Sequence, residues 1–148
     1  MEITRRPTQE ADTDFAREAH HRAYHDVSIQ QFGPWDERAQ DRYFQTGWTA
    51  AVHEIVLCDG APCGYACIEE RPHDMHVREL VIHPDFQNRG IGSAVLRQVM
   101  ARAQERQVPV RLGTFVKNRA LHLYQRLGFE EFDRTEVHIL LQWVPKAK

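Results

Sequence analysis

"ELVIHPDFQNRGIGSAVL", residues 79–96, passes from an apolar, strand-like segment through a polar turn into an amphipathic pattern, with Arg89, Gly90 and Gly92 at the junction. The order of strand, glycine turn and helix decides the fold class, and its neighbours extend it in both directions. Upstream stand three β-like runs, "AAVHEIVLCDG" (50–60), "PCGYACIEE" (62–70) and "MHVRELVIHP" (75–84). The turn residues "DGAP" join the first two, which suggests an antiparallel meander. Downstream, Ile91, Val95, Val99 and Ala103 recur four apart with Leu96 and Met100 beside them, which predicts a helix over 91–106 that stops before Pro109. A strand over 109–116 follows, then a helix in "NRALHLYQRLGF" (118–129) with Asn118 as N-cap and Gly128 as its stop. Two last strands fall near 129–133 and 136–144. Before the meander, "EITRRP" (2–7) reads as a strand. "DTDFAREAHHRAYHDV" (12–27) reads as a helix with Phe15, Ala19, Ala23 and Val27 on one face. "FGP" breaks it, and a second helix runs from about Trp35 to Phe44 with Asp36 and Glu37 in its first turn. The sum is an α+β chain with a mixed sheet and helices on its faces.

A chain of 148 residues is expected to form a single domain, 1–148, able to bury a core without disulfides or metal. The 42% apolar and 27% charged residues match an ordinary soluble protein, and no apolar run reaches the length of a membrane span. With no secretory signal and only Cys58, Cys63 and Cys67, an odd number without a CxxC pair, reduced thiols and a cytoplasmic location are expected. The net charge of −2 hides a split. Residues 86–128 hold eight Lys/Arg against one acid, Glu105, for +7, leaving eleven basic against twenty acidic residues, −9, elsewhere. Such asymmetry suits an anionic ligand on one half, or simply solvated helix faces. Nucleic acid is not the expected partner, because the total is negative and no aromatic-basic platform is visible.

Glycines where a strand hands over to a helix let backbone N–H groups approach phosphate oxygens, with the helix dipole assisting; they serve equally well in a tight turn with close packing. A dinucleotide fingerprint would want a third glycine where Val95 stands. A phosphate loop would want Gly-Lys-Ser/Thr, which "GIGSAVL" lacks. Gln87, Asn88, Arg89, Gly90, Ile91 and Gly92, preceded by "LVIHP", resemble the Q/R-x-x-G-x-G/A signature of the GNAT superfamily of acyl-CoA-dependent N-acyltransferases. "VKNRALHLYQRLGF" (116–129) is similar to that family's downstream motif. The resemblance covers 75–144 closely and the first 50 residues loosely. It implies a GNAT-like α+β fold: a mixed, mostly antiparallel sheet of about six to seven strands, flanked by about four helices. It further implies that strands 4 and 5, here 75–83 and 109–116, splay around acetyl-CoA as cosubstrate. By carry-over, the backbone of Arg89, Gly90, Ile91, Gly92 and Ser93 holds the pyrophosphate, with Gln87 and Asn88 in the same motif. Val81 and Ile82 bond the pantetheine as an added strand would, and Asn118 contacts the coenzyme arm.

The implied activity is N-acetyl transfer to a primary amine of a small molecule or peptide, with a non-catalytic acyl-CoA sensor or partner-binding domain as the alternative. An alkylamine with a pKa of about 10 must lose a proton before it attacks. Glu79 and His76 are the candidate bases. They differ in strand parity and so face opposite sides of a regular strand, and a water relay, Glu69 or Glu70, or no base at all are the further options. Tyr124 stands where the family's tyrosine stands and would protonate the departing thiolate. On residues alone it reads equally as core, sharing a helix face with Leu121 and Leu127. The acids Glu69, Glu70, Asp74 and Glu79 point to a cationic acceptor. "QFGPWDE" (31–37) offers Phe32 and Trp35 as an acceptor lid or as a capping cluster. No metal is expected, since His21 and His25, though four apart on a helix, have no HExxH pattern and no matching cluster. The apolar last strand "VHILLQWV" (137–144) offers an edge for pairing in a homodimer.

Overall fold

A computed structural model describes residues 1–148. Its strands are β1 (Ile3–Pro7), β2 (Glu54–Cys58), β3 (Ala61–Glu70), β4 (Met75–Ile82), β5 (Val110–Phe115), β6 (Glu130–Arg134) and β7 (His138–Trp143). Its helices are α1 (Thr13–Phe32), α2 (Glu37–Ala50), α3 (Ile91–Arg106) and α4 (Ala120–Arg126). The seven strands form one mixed sheet in the order β1-β2-β3-β4-β5-β7-β6, with β4 and β5 parallel, and this is the α+β architecture expected. No helix is long and apolar enough to cross a membrane. The chain divides into two compact units: Met1–Cys67 with Glu79–Gly92, and Ile68–Arg78 with Ser93–Lys148.

In the first unit, β1 pairs antiparallel with β2 and β2 with β3. Ala16, Ala19, Phe44, Ile55, Tyr65 and Val81 are buried together as its core, with Phe15, Tyr24 and Trp48 packed against them. α1 runs past Val27 to Phe32 and stops where Gly33 takes a φ of 96° and its amide returns to Ile29 O at 3.1 Å, ahead of Pro34. Asp36 caps α2 by accepting from the Ala39 amide at 3.1 Å. That helix continues beyond Phe44 to Ala50. Phe44 and Trp48, one turn apart, stack at 5.3 Å on the core, and their burial outweighs the roughly 1 kcal/mol that Gly47 costs a helix interior. Gly64 on β3 is dictated by sterics, because a Cβ there would lie 2.1 Å from Val81 O.

In the second unit, β4 pairs in parallel with β5 from Met75↔Val110 to Val77↔Leu112. β5 meanwhile pairs with β7 along its whole length. β7 is also paired with β6, so both its edges are occupied and the homodimer pairing expected through 137–144 has no free edge. The open edge of this unit is β6, every residue of which is exposed. α3 buries Val95, Leu96, Val99 and Ala103 at helical spacing. α4 begins after Asn118, whose Oδ1 accepts from the Ala120 amide at 2.9 Å. The helix closes with Gly128 (φ 98°) donating to Gln125 O and Phe129 donating to Tyr124 O, a Schellman turn. The three cysteines are free and buried, and burial, then Cys58, pushes the Cys63 thiol up to about 11.

Candidate functional site

The signature segment lies in the first unit. β4 ends at Ile82, and the buried His83 then sends its amide to Cys63 O at 2.8 Å and accepts from the Asp85 amide on Nδ1 at 3.1 Å. His83 also stacks on Phe15 at 5.8 Å, an anchoring role that its sequence position did not reveal. A short 3-10 turn, Pro84–Phe86, follows. Gln87 folds back, its Nε2 donating to Ile82 O at 3.0 Å, so it braces the turn from within. Asn88 and Gly90 take φ values of 64° and 79°, and Ile91 opens α3. Left-handed backbone at two positions reverses the chain so that it enters the helix directly, where the first-turn amides have no intrahelical partner. Arg89 is exposed and lies over the Phe86 ring at 5.3 Å. The glycine at 90 is thus needed for conformation, and a Cβ there would meet nothing within 4 Å.

The same unit contains Glu79, Val81 and Ile82. Val81 belongs to the core, with 2% exposure. Glu79 is about a quarter exposed, and its Oε1 lies 3.9 Å from Nε2 of His53. His53 is buried, and its Nδ1 donates to Ala51 O at 2.9 Å, which turns Nε2 toward the carboxylate. Tyr65 is wholly buried nearby; burial first, then the charge of Glu79, hold its phenol proton well above the usual range. Neither His53 nor Tyr65 stood out in the sequence, because only the folded sheet brings residues 53, 65 and 79 together.

His76, Ser93, Asn118 and Tyr124 lie in the second unit. His76 is half-buried, and burial, followed by Arg71, lowers its pKa, so the ring is neutral at pH 7. Ser93 is half-buried in the first turn of α3. Asn118 uses its Oδ1 on the start of α4. Tyr124 sits edge-on to Phe129 at 6.0 Å, and burial pushes its hydroxyl up to about 12.

The sequence model of the GNAT acetyltransferase family matches residues 13–129, which spans most of the chain, including the signature loop and Tyr124. The chain belongs to the GNAT family. A curated relative from Methanocaldococcus jannaschii, named as an uncharacterized N-acetyltransferase, is 32% identical over 97 residues. That match takes in 64% of this chain and 42% of the relative, so the chain spans less than half of the relative's length. Among solved structures, the PaiA N-acetyltransferase of Thermoplasma acidophilum in complex with coenzyme A superposes with a TM-score of 0.74 at 14% identity, covering 97% of this chain and 99% of that one. The ribosomal-protein-S18-alanine N-acetyltransferase of Escherichia coli superposes with a TM-score of 0.67 at 19% identity, covering 99% and 97%. At such identities the likeness establishes the fold alone.

In this GNAT chain the basic stretch is partly neutralised within its own unit. Glu70 lies 3.2 Å from Arg102 and 3.6 Å from Arg106. Asp74, 3% exposed, takes Arg71 through two bonds of 2.7 Å and Arg111 at 3.5 Å. Glu69 lies 4.0 Å from Arg78. Of the acids expected to draw a cationic acceptor, Glu69, Glu70 and Asp74 face arginines and Glu79 faces His53.

At the α1–α2 hairpin of the GNAT first unit, Phe32 is 57% exposed, while Trp35 packs on His21 and His25 at 5.5 and 5.2 Å. The tryptophan is thus part of a polar cluster with these two histidines. The expectation that no cluster surrounds these histidines is corrected for His21, which meets Glu37 and Asp41 of the next helix.

Proposed function

We propose that this GNAT protein acts as a single domain that transfers an acetyl group from acetyl-CoA to a primary amine. The junction at 87–92 supports the reading: within the span matched by the family, Asn88 and Gly90 take left-handed backbone just before α3, a turn suited to offering helix amides to a pyrophosphate. The backbone of Arg89, Gly90, Ile91, Gly92 and Ser93 holds that group. Val81, Ile82 and Asn118 contact the pantetheine arm, with Gln87 and Asn88 shaping the turn. The amine nitrogen loses a proton to Glu79, either directly or through water, and attacks the thioester carbon. The new C–N bond gives a tetrahedral adduct whose collapse breaks the C–S bond; Tyr124 hydrogen-bonds the leaving sulfur and supplies its proton, and the second proton lost by the nitrogen passes through water to restore the phenol. His76, neutral at pH 7, is the second candidate base. The acceptor is cationic before deprotonation, which suits the carboxylate of Glu79. Three buried free thiols fit a reducing, cytoplasmic setting.

Acetyl-CoA at 100 times its Kd should stabilise the fold by about 2.7 kcal/mol, read as a thermal shift. Gly90→Glu puts a charge where the pyrophosphate lies and removes the shift, while Gly90→Ala, bearing the same backbone strain, keeps it. An undiminished shift in Gly90→Glu places the coenzyme elsewhere. A free-thiol assay over polyamines, amino acids, aminoglycosides and peptide N-termini then identifies the acceptor. A thermal shift without turnover on any of them favours the acyl-CoA sensor.

A further inference from the structure

His21 lies on α1, and Glu37 and Asp41 lie one turn apart at the start of α2, all in the first unit. Nε2 of His21 is 2.6 Å from Asp41 Oδ1 and 3.7 Å from Glu37 Oε1, and one ligand atom from each of the three lies within 4.8 Å of the others. Around a tetrahedral zinc ion with bonds of about 2.0–2.1 Å, ligand atoms stand roughly 3.3 Å apart, so small side-chain rotations suffice to admit an ion. The atoms facing away from this point are already tied. His21 Nδ1 lies 2.9 Å from Nδ1 of the buried His20, and Glu37 Oε2 accepts from the Trp35 indole at 2.6 Å. Outer hydrogen bonds of this kind orient ligating imidazoles and carboxylates, and a metal on Nε2 leaves the ring hydrogen on Nδ1 to donate to His20. Two of the three, His21 and Glu37, line a cleft of about 360 Å³ together with Arg22, His25, Asp26 and Trp35, which gives water access to the ion.

We propose that His21, Glu37 and Asp41 bind one divalent transition-metal ion of the zinc type and so clamp the start of α2 to α1. One imidazole with two carboxylates favours a borderline ion over magnesium or calcium, which take oxygen ligands throughout. Two carboxylates and one neutral imidazole also balance the charge of the ion.

The test is titration of the full chain with zinc chloride, followed by calorimetry and by tryptophan fluorescence, since the Trp35 indole rests on a ligand. The expected result is one saturable equivalent, weakened on the order of tenfold or more in His21→Ala and in the nearly isosteric Asp41→Asn. Trp35→Phe should lose the fluorescence response, and His73→Ala, exposed before β4, should bind as the parent does. Circular dichroism verifies that each variant is folded. Absence of saturable uptake, or equal affinity in the parent, His21→Ala and Asp41→Asn, overturns the proposal and leaves an ion pair between two helices.

Discussion

At Tyr124, burial keeps the hydroxyl protonated across the physiological range, yet a phenol at about 12 is a weaker acid than a thiol near 8.5. It therefore acts first as a hydrogen-bond donor to sulfur as charge develops, which is worth most in the transition state. Tyr124→Phe should lower kcat by about 10²-fold and leave the Kd of acetyl-CoA within about twofold. Unchanged turnover would make the residue a packing element of α4. For the base, Glu79→Gln should depress kcat/KM most at low pH, and His76→Gln should leave the shape of the profile intact; the reverse result moves the base to His76. Asp74 is a residue of stability. Its bond to Arg71, the largest cause, holds its carboxyl below the usual range, so the folded state binds this proton less readily than the unfolded chain. The resulting stability is present in full above the unfolded value of about 3.9 and is lost as pH falls from there through the folded value. Asp74→Asn should destabilise by about 1–3 kcal/mol at pH 7 and flatten the stability curve below pH 4, as measured by urea unfolding across pH.

At the scale of elements, two glycines make opposite predictions. In β3 a Cβ on Gly64 would stand 2.1 Å from Val81 O and 3.0 Å from Ile82 Cα, both backbone atoms that cannot yield, whereas Gly47 in α2 has nothing within 4 Å. Gly64→Ala should destabilise by roughly 3–5 kcal/mol or prevent folding, and Gly47→Ala should stabilise by about 0.5–1 kcal/mol, both read by urea midpoints. Elements with their own period and punctuation are legible in the sequence: α3 begins and ends where its apolar spacing and Pro109 place it. The strands lie within a few residues of their apolar runs. α1 likewise stops at the "FGP" break, whereas the end of α2 is not legible in that way, because the stacked Phe44 and Trp48 carry the helix on through packing. The signature at 87–92 was readable for the same local reason. The partners of Glu70, Glu79 and His21 were not, nor was Arg111 beside Asp74, since each comes from a distant segment.

At the scale of the whole molecule, strand order carries information that strand composition hides. The apolar 137–144 run looked like a surface for association because apolar strands so often lie at interfaces. In the sheet order it takes the penultimate place, covered on both sides by β5 and β6. The terminal place falls to β6, which reads Glu130, Glu131, Phe132, Asp133, Arg134, with a register shift between Glu131 and Asp133. An open strand edge is a template for further strands, and a second β6 laid alongside this one would set carboxylate against carboxylate where the ladder is already irregular. Replacing Glu130, Glu131 and Asp133 with threonine would leave a β-prone segment around the half-exposed Phe132, without altering the interior. Under agitation the triple variant should scatter light and develop thioflavin fluorescence while the parent stays clear, which makes the charged margin of the sheet a barrier to amyloid growth.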